Sequence, residues 1–172
     1  MRKFLLPLFL ALFFMMESVF VELFSAEAFG STRIIVPHFL MIALIFLAIY
    51  GNNNHGILYA FLFGLLFDVI YTEIIGIYLC FFPLLTYGVV KIMKVLQANI
   101  VVVSFISLLA VALLELAVYE IIYLIHRTNM DFSYFSEIRL LPTLIVNTAF
   151  IIIVAYPIKK FCENYAKELR KD

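Results

Sequence analysis

Runs of apolar residues, broken by short polar stretches, fill almost the whole chain, over about 4–24, 34–50, 57–72, 76–90, 100–125 and 140–158. A helix that crosses a membrane needs about 20 mostly apolar residues, within a range of about 17–25. The pattern therefore predicts six transmembrane helices. The third and fourth are short, and their break, Thr72-Glu73-Ile74-Ile75-Gly76, is weak. A single helix over 57–90 would run about 51 Å, well beyond a hydrocarbon core of about 30 Å. A tight helical hairpin with Glu73 at its tip fits better, and Gly76 gives the chain freedom to turn. The turn over 51–56, Gly-Asn-Asn-Asn-His-Gly, is short and polar. The longest loops, 25–33 and 126–139, have room for a turn or a short interfacial helix. The expectation is an all-α polytopic membrane protein, one six-helix transmembrane domain over 1–172 with no soluble domain.

Composition points the same way, with 66% hydrophobic and 14% charged residues and a mean hydropathy of +1.11. An ordinary soluble domain is about 45–50% apolar and about 25% charged. Charge placement orients the chain. With six spans and both ends inside, the cytoplasmic side carries nine basic residues, Arg2, Lys3, Lys91, Lys94, Lys159, Lys160, Lys167, Arg170 and Lys171. The outer side carries three, Arg33, Arg127 and Arg139. Cytoplasmic loops are enriched in Lys and Arg, so both termini are expected in the cytoplasm. Arg2-Lys3, the run 4–16 and Ala26-Glu27-Ala28 imitate a cleaved signal, but Glu17 and Glu22 intervene and the c-region would be too long. An uncleaved first helix is expected.

Ionisable side chains within spans are costly and default to a functional hypothesis. Glu17, Asp68, Glu115 and Glu120 lie within the first, third and fifth runs, and Asn147 within the sixth. At the helical rise, Glu17 stands about 20 Å, Glu115 about 22 Å and Asp68 about 16 Å from the cytoplasmic start of their helices, and Asn147 about 10 Å from the outer end of its own. Glu17, Asp68, Glu115 and Asn147 could thus form one polar cluster in the middle-to-outer half of the bilayer. No Lys or Arg lies deep in a span, so His38 and Arg33 are the nearest candidate cations. Such groups act either as glue between helices or as a ligand or partner site, and the sequence leaves both open. Gly64 precedes Asp68 by one helical turn on the same face and Ala60 precedes Gly64 by another, a small-xxx-small pattern that permits close helix approach. Pro83 is expected to kink the fourth helix.

Several chemistries lack their residues. There is no paired aspartate within the spans, no His-Glu-x-x-His, and no base beside Ser18, Ser104 or Ser107. His38, His55 and His126 fall on mixed sides, and Cys80 and Cys162 in different compartments. No enzyme activity, metal or cofactor is expected. With zero net charge and no basic cluster interleaved with aromatics, nucleic acid is not an expected partner. The tail over about 159–172 reads as an amphipathic helix at the inner surface, with Ile158, Phe161, Cys162, Tyr165 and Leu169 on one face and Glu163 paired to Lys167.

Glu17-Ser18 followed by Phe20, the stretch Val36-Pro37-His38-Phe39-Leu40-Met41, the segment from Tyr59 to Asp68 with its Gly-x-x-x-Asp element, then Tyr71, Gly76-Ile77-Tyr78, and Arg139-Leu140-Leu141-Pro142-Thr143 with Asn147 have a familiar order. Over essentially its whole length the chain resembles the MreD family of rod shape-determining integral membrane proteins. The resemblance implies a non-enzymatic part of the cell-elongation complex in the bacterial cytoplasmic membrane. Its partners there would be the single-span MreC, the MreB filament, and a transglycosylase and transpeptidase that build lateral peptidoglycan. It also implies a compact bundle similar to the substrate-binding subunits of ECF-type vitamin transporters. It supplies no ligand or catalytic residue. The candidate helix-packing or partner-contact residues are Glu17, Ala60, Gly64, Asp68, Gly76, Glu115 and Asn147, with Asp68 foremost. The alternative is an ECF-type substrate-binding subunit. Against it, the first helix lacks the Ala-x-x-x-Ala motif, since Ala11 is followed four residues on by Met15, and the chain has no Trp.

Overall fold

The computed structural model describes residues 5–24, 33–72 and 74–170. Arg2, Lys3, the Ala26-Glu27-Ala28 stretch, Glu73 at the expected hairpin tip, and Lys171 lie outside the described residues.

The stretch Phe39-Leu40-Met41-Ile42-Ala43-Leu44-Ile45-Phe46-Leu47 has no polar position at all. A helix that is hydrophobic all round belongs in the interior. It forms α2, Phe39–Gly51, whose last five residues from Leu47 are a π turn. Every side chain from Phe39 to Ala48 is at most 4% exposed. Around it stand α1 (Leu5–Leu23), α3 (Asn53–Tyr71), α4 (Ile77–Met93), α5 (Ile100–Leu124) and α6 (Phe132–Leu169), and α2 touches all of them. No strand occurs among the described residues. The surrounding helices turn apolar faces outward, for example Leu8, Leu12, Met15 and Val19 on α1 and Val101, Phe105, Leu109 and Leu113 on α5. Such faces suit lipid as the solvent. Four helices, α1, α3, α5 and α6, are long and apolar enough to cross a membrane, while α2 and α4 are shorter apolar helices.

Some boundaries move. The second apolar run was expected to be helical from residue 34, but residues 33–38 are not helical and α2 begins at Phe39. Pro37 disfavours helical geometry in the residue before it. The polar turn of 51–56 shrinks to Asn52, because α2 runs through Gly51 and α3 starts at Asn53. The Asn52 side chain accepts the His55 N–H at 3.1 Å, which caps α3. Gly56 permits this tight return, since a Cβ there would lie 2.5 Å from the Ala48 Cβ. α4 continues through Pro83. The last run does not end at 158. α6 opens with a helical turn at Phe132–Phe135, passes through a π turn at Ser136–Leu140, and then runs unbroken from Leu141 to Leu169, through Pro157.

The tail is thus the end of α6, and its apolar face is already taken. Ile158 and Cys162 are buried, and Phe161 stacks on Phe9 of α1 at 4.0 Å between ring centroids. Tyr165 shares a 2.8 Å hydrogen bond with His55 at the start of α3. Glu163 pairs with Lys159 at 3.7 Å, one turn before it, rather than with Lys167. Lys159 also lies over the Tyr50 ring at 5.0 Å.

Candidate functional site

Helix starts leave backbone N–H groups without partners. In lipid no water can satisfy them, and each unsatisfied group costs several kcal/mol. The shorter helices α2 and α4 both start at the end of the bundle where α1, α3 and α5 finish. Side chains from other helices meet each start.

At α4 the partner is Asp68, from the last turn of α3. Its carboxylate accepts the N–H groups of Gly76 at 2.8 Å, Tyr78 at 2.9 Å and Leu79 at 2.9 Å. The Thr72 hydroxyl donates to it at 3.4 Å. Negative charge at a helix N-terminus also meets the positive end of the helix dipole. Asp68 is fully buried. Gly76 is the N-cap, at φ +122°, a conformation that favours glycine. Gly64, one turn before Asp68, lets the α4 backbone approach, since a Cβ there would lie 2.5 Å from the Tyr78 carbonyl oxygen. Ala60 is buried one turn further along.

At α2 the partners are Glu17 and Asn147. Glu17 of α1 accepts the Leu40 N–H at 2.8 Å. Asn147 of α6 accepts the His38 N–H at 2.8 Å through Oδ1, and its Nδ2 donates to the carbonyls of Val36 at 3.1 Å and Thr143 at 2.8 Å. The non-helical strip before α2 is held the same way. The Ile34 N–H donates to the Ile138 carbonyl at 2.9 Å, and the Val36 N–H to Thr143 Oγ1 at 3.1 Å. Irregular backbone at membrane depth is tolerated only where protein covers it, and here α6 supplies its hydrogen bonds.

Beside this strip lies a charged triad. Glu115 of α5 accepts from Arg139 Nε at 2.7 Å and Arg139 Nη2 at 3.5 Å, and it lies 2.7 Å from His38 Nε2. The His38 and Glu115 side chains are wholly buried, and that of Arg139 is 24% exposed. Tyr78 stands within electrostatic reach of Glu115, Arg139, Glu17 and Asp68. Ser18 and Tyr71 share a hydrogen bond nearby.

The single polar cluster of the sequence reading is two adjacent ones. Glu17, Glu115 and Asn147 gather at the start of α2, while Asp68 serves α4 with Gly64 and Gly76. Of the two expected cations, His38 faces Glu115 but Arg33 is exposed. The ion-pair partner is Arg139, counted from sequence as a loop residue. It sits in the π turn of α6, inside the helical run. Arg139, Thr143 and Asn147 recur every four residues, a helical-face spacing that could have revealed them. Tyr78 and Thr72 carried no comparable signal. Glu120 is exposed near the end of α5. Among the described residues no group of three or more His, Cys, Asp or Glu could hold a metal.

The family described as rod shape-determining protein MreD matches residues 2–165. The chain is similar to the Rod shape-determining protein MreD of Bacillus subtilis (strain 168), 39% identical over 172 residues and covering 100% of both chains. It is also similar to the Cell shape-determining protein MreD of Streptococcus pneumoniae (strain ATCC BAA-255 / R6), 27% identical over 127 residues, 74% of this chain and 77% of that one. No solved structure matches it.

Proposed function

The chain belongs to the MreD family of rod shape-determining proteins, which is not an enzyme family, and from that premise we propose that it scaffolds the bacterial cell-elongation machinery through lateral contacts in the membrane. In this reading its main partner is an MreC-like single-span protein. The assembly also includes the MreB filament and the transglycosylase and transpeptidase of lateral peptidoglycan synthesis. The observation that carries the reading is how the buried polar groups are used. Glu17, Asp68, Glu115 and Asn147 are engaged with helix starts and with Arg139. What faces outward is mainly apolar helix surface. A partner in lipid is recognised by close packing and occasional polar contacts, because lipid tails are as apolar as leucine. No observation favours a transporter subunit.

We read the chain as one domain crossing the cytoplasmic membrane six times with both ends inside. α2 alone, 13 residues as 8 plus 5, spans about 20 Å at the helical rise. The five residues 34–38 before it add up to about 16 Å if extended, which completes a core of about 30 Å. Reporter fusions after Gln97 and after Asp172 should both report a cytoplasmic location, and one at Asp131 an external location, as the nine-to-three basic asymmetry requires. An external report at Asp172 would end the six-crossing arrangement.

Depletion in the rod-shaped host tests the function. Cells should become wide or round while the isolated peptidoglycan enzymes keep their activity. Photocrosslinkers along the outward faces of α1 and α5 should trap the MreC-like helix on one face. Normal cell width after depletion, with no elongation protein co-purifying, would refute the scaffold.

A further inference from the structure

A hollow of about 360 Å³ opens at the end of the bundle that holds the helix starts, among the ends of α3 and α5, the start of α4 and the π turn of α6. That is the size of a small-molecule site, about 300–1,000 Å³. Ile77, Val118 and Ile122 give it an apolar side, and its charged side chains are Arg127 and Arg139. No carboxylate lines it among the described residues. Glu115, the partner of Arg139, is wholly buried and does not reach the wall.

Two groups in this wall are donors without acceptors. A guanidinium carries five N–H groups. Glu115 engages Arg139 from one side only, through Nε and Nη2. The fork between Nη1 and Nη2 has no partner among the described residues, and part of the side chain stays open. Tyr78 is 5% exposed, and its ring packs on Phe67 and Phe82, yet its hydroxyl makes no hydrogen bond among the described residues. A buried hydroxyl without a partner is costly. It stands within electrostatic reach of Arg139. The other hydroxyls of the wall are engaged, Tyr71 with Ser18 and Thr72 with the Asp68 and Ile74 carbonyls. Arg127 also has a partner already and adds only background positive charge.

We propose that this hollow binds a small carboxylate with an apolar body. The carboxylate lies on the free fork of Arg139 and accepts from the Tyr78 hydroxyl, with its body against Ile77, Val118 and Ile122. A planar group with two oxygens matches one guanidinium fork. A phosphate fits less well, because its further oxygens would face the apolar side without donors. An alcohol or amine of the same length brings no anion to the fork. The acid could come from the membrane, as a fatty acid, or from the outer solution, and the recognition chemistry is the same. This site does not depend on the scaffold reading, and its failure would leave that reading untouched.

The test is equilibrium binding of octanoate to the full chain, delipidated in detergent, against octanol, octylamine and octyl phosphate as matched probes. Octanoate should bind at about tenfold lower concentration than any of the three, the scale of one charge-assisted hydrogen bond. Tyr78→Phe removes a hydroxyl that bonds nothing in the fold and keeps the ring. It should leave thermal unfolding of the ligand-free protein undiminished and weaken octanoate about tenfold. Arg139→Lys keeps a cation for Glu115 but loses the fork, and it should abolish the preference for octanoate over octanol. If the Lys variant does not fold, Tyr78→Phe decides the matter. Palmitate binding more tightly than octanoate would support the site and assign its ligand to the membrane. Octanoate binding at least as tightly as palmitate would support it with a water-soluble acid. Absence of octanoate binding, equal binding of octanol, tighter binding of octyl phosphate, or unchanged octanoate affinity in Tyr78→Phe would overturn the proposal.

Discussion

Replacing Asp68 with Leu should strip the membrane of folded protein. Three N–H groups at the start of α4 lose their acceptor together. Each buried donor left unsatisfied costs about 1–3 kcal/mol, so the sum is about 3–9 kcal/mol. Typical domain stability is only about 5–15 kcal/mol. Asp68→Asn should be milder. It retains one oxygen for Tyr78, but turns an NH₂ group toward donors that had faced the other oxygen. We expect a folded protein, weakened by about 1–3 kcal/mol. Yield from membranes and thermal unfolding in detergent measure both effects. A Leu variant as stable as the wild type would mean that the start of α4 is satisfied by something other than this carboxylate.

The second large effect is expected at Glu115. Glu115→Leu leaves Arg139 and His38 without the acceptor both now face. Breaking a buried ion pair from one side costs about 3–5 kcal/mol, whereas replacing both members with apolar residues is often neutral. The double variant Glu115→Leu with Arg139→Met should therefore recover much of the loss. A double-mutant cycle on unfolding free energies reads the coupling directly. If the two losses simply add, Arg139 and Glu115 do not act as a pair.

How far the sequence reveals this depends on which physical property each residue expresses. Hydropathy locates the helices well, because burial and lipid exposure both demand apolar side chains. It cannot tell a helix from a covered extended strip. Ile34, Ile35 and Val36 are as apolar as any helical residue, yet they lie ahead of α2 with their polar backbone atoms bonded to α6. Pro37 was the local warning. Asp68 could be singled out by its depth and by Gly64 one turn away. That its partners are backbone N–H groups of the next helix depends on a close approach that spacing alone does not disclose. Arg139 was missed because basic residues next to an apolar run are counted as loop. Its partner Glu115 is 24 residues earlier on another helix, and no local pattern connects them.

The central helix has a consequence for the order in which the protein is made. α2 is too short and too enclosed to settle in lipid unaided, and the His38 N–H before it is satisfied by Asn147, 109 residues later in the chain. At about 5–20 residues per second, ribosomes need roughly 5–20 s to supply that residue. During the interval the strip at 34–38 lacks the α6 side chains that bond it. The core of the bundle is therefore completed last although it is synthesised among the first. A chain cut short before α6 loses more than a terminal helix. It loses the side chains that bond the strip at 34–38, and with them the means to seat α2.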